Sequence, residues 1–71
     1  MVNVNKFKGK IVEKGLNIEK VAESIKMDKA TLYRKLNQSG QTLTIKEVDL
    51  LANTLELSID EVVAIFFSQH V

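Results

Sequence analysis

Apolar residues along this chain recur three and four positions apart, the spacing that places side chains on one side of an α-helix. Val4, Phe7 and Ile11 predict a first helix over residues 5–14, ended by Gly15, which enters the left-handed conformation at least cost. Val21, Ala22 and Ile25 point one way in a second helix over 18–25, capped by Asn17, while Glu19, Lys20 and Glu23 face water. Lys26 and Met27 make a brief turn, and Asp28 caps a third helix that ends at Leu36 or Asn37. Gln38, Ser39, Gly40, Gln41, Thr42 and Leu43 read as a loop, because polar turn formers cluster around a glycine. Thr44-Ile45-Lys46-Glu47 and Ser58-Ile59-Asp60-Glu61 are capping boxes, in which hydroxyl and carboxylate each satisfy a free backbone donor. They start a fourth helix with Ile45, Val48, Leu51, Ala52 and Leu55 inward, and a fifth with Ile59, Val62, Val63 and Phe66 inward. A short terminal strand through Ile65, Phe66 and Phe67 is the alternative at the end, since that run is β-branched and aromatic. The expected fold is all-α: one five-helix domain over residues 1–71, its core at about 5–67, with a flexible C-terminal tail.

Composition narrows the classes of function. The 71 residues contain no Pro, Cys or Trp, and a chain of that length buries only a thin core with little surface left for a deep cleft. The longest apolar run, residues 62–67, is far short of the roughly 18 residues a membrane span needs. The first residues lack the apolar stretch of a secretory signal, so a cytoplasmic protein without a membrane partner is expected. Without cysteine there is no disulfide framework and no thiolate metal site, and the lone His70 has no neighbouring ligand. Asp60 and Glu61 are accounted for by the cap, and neither a phosphate-cradling glycine loop nor a nucleophile–base set is present. No catalytic residue, metal or cofactor is expected. Binding is.

The net charge of +1 hides an asymmetry. Residues 1–38 carry nine basic groups against four acids, a net of +5, whereas residues 39–71 carry Lys46 against five acids, a net of −4. Such a division suits a first half that faces a polyanion.

The third helix sharpens this. With Leu32 and Leu36 inward, rotation by 100° per residue puts Ala30, Tyr33, Arg34 and Asn37 on the opposite face, with Lys29 at its edge. That face offers a cation, hydrogen-bonding groups, an aromatic and a small residue, and contains no acid. An α-helix fits the major groove of DNA, where arginine suits guanine, asparagine suits adenine, and Tyr33 can meet a thymine methyl or a phosphate. Two short helices joined by a tight turn, with small Ala22 at the crossing and Met27 plugging the turn, form a helix-turn-helix arrangement.

The segment Leu16-Asn17-Ile18-Glu19-Lys20-Val21-Ala22-Glu23-Ser24-Ile25-Lys26-Met27-Asp28-Lys29-Ala30-Thr31-Leu32-Tyr33-Arg34-Lys35-Leu36-Asn37 resembles the lambda-repressor/Cro-like (Xre-type) helix-turn-helix of bacterial and phage regulators. Val48-Asp49-Leu50-Leu51-Ala52-Asn53-Thr54-Leu55-Glu56-Leu57-Ser58-Ile59-Asp60-Glu61 is similar to the fourth helix and the start of the fifth in that family. The ending Asp60-Glu61-Val62-Val63-Ala64-Ile65-Phe66-Phe67 looks like small repressor-type proteins of phages from Gram-positive bacteria. The resemblance implies a sequence-specific transcription regulator that docks as a homodimer on a pseudo-palindromic double-stranded DNA operator. It implies base or backbone contacts from Lys29, Ala30, Tyr33, Arg34 and Asn37, and a phosphate-binding end at Asn17 and Ile18. Three positions depart from the family pattern: Ile18 replaces the usual Gln, Lys26 the usual turn Gly, and Lys35 a frequent apolar residue. Lys26 must then take up a left-handed backbone, and the stem of Lys35 must lie along the core edge.

Outside that segment, Lys46 near the start of the fourth helix is a phosphate-contact candidate. Lys6, Lys8, Lys10 and Lys14 read as a solvated stripe with long-range attraction only. The apolar end of the fifth helix exceeds what a thin domain can bury, which points to a dimer interface at Val63, Ile65, Phe66 and Phe67. The same surface supports the rival reading, a protein-interaction module that modulates a repressor protein. The 71 residues hold no second sensing domain, so control by expression level, competition or a partner is expected.

Overall fold

The predicted helices are all present in the computed structural model, which describes residues 2–37 and 43–68. They are α1 (Val4–Glu13), α2 (Ile18–Ser24), α3 (Lys29–Asn37), α4 (Ile45–Leu55) and α5 (Ile59–Phe66), and no strand occurs among the described residues. The predicted loop at 38–42 and the expected tail from residue 69 lie outside them.

All five helices begin in the same way. A polar residue stands before the first helical position, and apolar residues flank it on either side, one before the cap and one at the fourth helical position. The pairs are Val2 and Phe7, Leu16 and Val21, Met27 and Leu32, Leu43 and Val48, and Leu57 and Val62; every member belongs to the core or packs against it. This is the hydrophobic-staple arrangement, which fixes the angle at which the chain enters each helix. The caps are made by Asn3, Asn17, Thr44 and Ser58, whose side-chain oxygens accept the amides of Lys6, Lys20, Glu47 and Glu61. Both predicted capping boxes are complete. Leu43, expected in the loop, is therefore a core residue.

The staple also corrects the expected inward set. Ile45 and Ile59 are 84% and 82% exposed, because each is the first residue after its cap and lies on the side away from the stapled pair.

Three connections close with one pattern. After α1, the amides of Gly15 and Leu16 donate to the carbonyls of Val12 and Ile11, both at 2.9 Å. After α2, Lys26 and Met27 do the same to Glu23 and Ala22, and after α4, Glu56 and Leu57 to Asn53 and Ala52. The pivot must be left-handed, and φ is 70° at Gly15, 58° at Lys26 and 55° at Glu56. The departure at Lys26 thus leaves the turn intact, at a backbone cost of about 1 kcal/mol for a residue with a Cβ.

The centre of the core comprises Phe7, Val21, Leu32, Leu51, Leu55 and Ile65, at least one from each helix. α2 packs against α1, α3 and α4, and α1 packs against α5. Ser24 Oγ ties α2 to Thr54 of α4 at 3.1 Å. The α1–α5 contact sets the rotation of α5: the Phe7 and Phe66 rings meet edge to face at 5.8 Å, and the Asn3 amide donates to the Ile65 carbonyl at 2.7 Å. Ile65 and Phe66 are consequently 2% and 5% exposed, while Val63 and Phe67 remain 52% and 57% exposed. The expected inward stripe through Ile59 and Val63 is replaced by one through Val62, Ile65 and Phe66. Of the expected interface residues, Ile65 and Phe66 are spent inside the chain; Val63 and Phe67 are on the surface.

Candidate nucleic-acid interface

α3 is held by Leu32 and Leu36, both buried, and its start is fixed by Asp28. The Asp28 carboxylate accepts the Thr31 hydroxyl at 2.5 Å, and with the amides of Thr31 and Ala30 this pulls its pKa below the usual carboxylate value. The residues expected on the outer face are where the rotation argument placed them: Lys29, Ala30, Arg34 and Asn37 are exposed and Tyr33 is half-buried. One of the two amide hydrogens of Asn37 is used, since Nδ2 donates to the Tyr33 carbonyl at 2.8 Å and closes the last turn.

Charge pairing divides the basic half into lysines that are neutralised and cations that are not. Lys10 pairs with Glu61 and with Glu13, Lys14 with Glu56 at 3.4 Å, and Lys35 with Glu47 at 2.8 Å. Each of these lysines belongs to the basic half, and each takes an acid from the other half. Part of the charge asymmetry is therefore an internal seam. Glu61, held by the Lys10 ammonium and then by the Ser58 amide, is pulled down to about 2. Glu47 is lowered by Lys35 first and by the Thr44 amide second. Ion pairs open to solvent contribute little to stability; their larger effect here is to cancel charge. Lys29 and Arg34 have no acidic partner among the described residues, and α3 contains no acid of its own.

The remaining candidates are dispersed around α3. Lys46 is exposed in the first turn of α4, and the neighbouring Glu47 holds that turn beside Lys35 at the end of α3. Asn17 is exposed but spends its side-chain oxygen on the Lys20 amide, and Ile18 packs against the core, so it offers nothing polar at the start of α2. The lysine stripe of α1 divides: Lys10 and Lys14 are paired, whereas the Lys8 ammonium lies 5.8 Å from the centre of the Tyr33 ring. Sequence spacing gave no signal for that contact, because the two residues sit on different helices.

No group of metal-ligating side chains occurs among the described residues, and no helix there is long and apolar enough to cross a membrane. Family models, curated proteins and solved structures gave no match to this chain.

Proposed function

We propose that this chain is a sequence-specific DNA-binding transcription regulator of the phage or bacterial repressor or Cro-like kind, acting in the cytoplasm by occupying an operator. α2, the Lys26 turn and α3 serve as its helix-turn-helix, and α3 enters the major groove. The observation that carries this reading is the outer face of α3. Lys29, Arg34 and Asn37 are exposed there beside Tyr33, without an acid, while lysines at the helix seams are neutralised. Arg34 is the guanine reader and Asn37 an adenine reader through its free oxygen and second amide hydrogen. Lys46 is a phosphate contact at the α4 side of that face, and the backbone at Asn17 and Ile18 is the expected phosphate-binding end. Binding is the whole mechanism.

Two copies would join through α5, where Val63 and Phe67 remain on the surface in line with Ile59. That same stripe favours the second reading, a modulator that covers a repressor protein through α5 and does not touch DNA. Salt dependence separates the two. Affinity for duplex DNA should fall steeply as salt rises and phosphate counterions are released. A purified protein that binds no duplex at low salt, yet binds a repressor, would favour the modulator.

A further inference from the structure

α1 and its C-terminal turn carry Lys6, Lys8, Lys10 and Lys14, and carboxylates from α4 and α5 claim Lys10 and Lys14. Lys8 is different. Its ammonium lies over the Tyr33 ring, and no carboxylate pairs with it among the described residues. A ring quadrupole attracts a cation without neutralising it, and it accepts none of the three N–H donors in the manner of an oxygen. Lys8 is thus a cation brought to the edge of the α3 face and left uncompensated there. A helix lying in the major groove has phosphates along both banks, at one charge per roughly 1.7 Å of duplex axis. A compact ammonium on a flexible stem beside such a helix suits a phosphate oxygen better than a base edge.

Resting on the DNA-binding reading, we infer that Lys8 of α1 contacts the phosphodiester backbone at the bank of the groove that α3 enters, with Tyr33 as the platform that holds its ammonium there. The recognition surface then spans two helices, and Tyr33 acts partly by placing Lys8.

The test compares wild type with Lys8→Gln, Lys8→Arg and Lys14→Gln. Binding is measured on a duplex selected from a random pool and on a random-sequence duplex, each over a range of salt. Lys8→Gln should lower the magnitude of the slope of log affinity against log salt by about 0.9 for each bound copy and weaken binding to both duplexes by the same factor, with an unchanged thermal midpoint. Lys8→Arg should restore the slope, and Lys14→Gln, removing a lysine already paired, should leave it as in wild type. An unchanged slope in Lys8→Gln, with wild type still binding in a salt-dependent way, would overturn the Lys8 assignment alone. Loss confined to the selected duplex would also overturn it, by making Lys8 a base contact. If wild type binds neither duplex at low salt, the DNA-binding reading fails and the Lys8 contact falls with it.

Discussion

α3 and α5 are both short helices laid on the same core, one through Leu32 and Leu36 and the other through Ile65 and Phe66, yet their outer faces have opposite character. α3 turns Lys29, Arg34 and Asn37 to water, with Tyr33 half-covered, whereas α5 turns Ile59, Val63 and Phe67 outward behind an acidic first turn. The seam between the two halves of the chain is closed by Lys10, Lys14 and Lys35 on their glutamates. The outer faces of these two helices thus differ in kind: cationic and polar on α3, apolar on α5. One core thus supports two surfaces of different character.

Removing that core should erase the contrast altogether. Phe7→Ala, which empties a fully buried site against Phe66, should cost about 3–5 kcal/mol. Urea unfolding measures the loss, and DNA binding and self-association should disappear together; loss of one with the other intact would mean that the faces do not depend on a shared core. Arg34→Ala should sharpen the contrast from the α3 side, costing about 1–3 kcal/mol on the selected duplex and relaxing preference at one base pair. An equal loss on every sequence would make Arg34 a phosphate contact. Phe67→Asp should act from the other side, shifting sedimentation towards monomers and weakening operator binding while changing monomer stability by no more than about 0.5 kcal/mol. Unchanged sedimentation would reject α5 as the dimer surface. Lys26→Gly, at the turn between α2 and α3, should raise stability by about 1 kcal/mol by relieving the left-handed backbone, read as a higher thermal midpoint.

The smallest effect concerns the seam. Glu61 is held at about 2 against an ordinary value of 4.5, so its contribution to stability is complete above pH 4.5 and is lost as pH falls from there towards 2. Glu47 and Asp28, also lowered, act in the same direction. Lys10 is raised, so its contribution is complete below pH 10.5 and fades only above it. Glu61→Gln, which can still cap α5, should flatten the acid limb of the urea midpoint plotted against pH; an identical limb would remove the Lys10–Glu61 pair from the account.

The two faces also differ in how legible they were. In α3, Leu32 and Leu36 stand among polar residues, so only one rotation buries them and the outer face follows at once. In α5, residues 62–67 are all apolar, and periodicity cannot choose among rotations. The choice was made by Phe7 of α1 and by Asn3, the cap before that helix, far away in the chain, which turned Ile65 and Phe66 inward. Capping boxes and Gly15 marked their helix boundaries because those signals are local. The apolar residue before each cap was legible too, in Leu43 as much as in Leu57, but it was masked by the polar company Leu43 keeps. The Lys8–Tyr33 contact and the lysine–glutamate seam join different helices, and nothing in sequence spacing encodes them.

Recovery of bound duplexes from a random pool, carried out side by side with wild type and Arg34→Ala, puts the outer surface of α3 to the most direct test. The account predicts a two-fold symmetric consensus for wild type that loses its preference at one base pair per half-site in the variant. A pool that emerges as random as it began, or a consensus indifferent to Arg34, would contradict it.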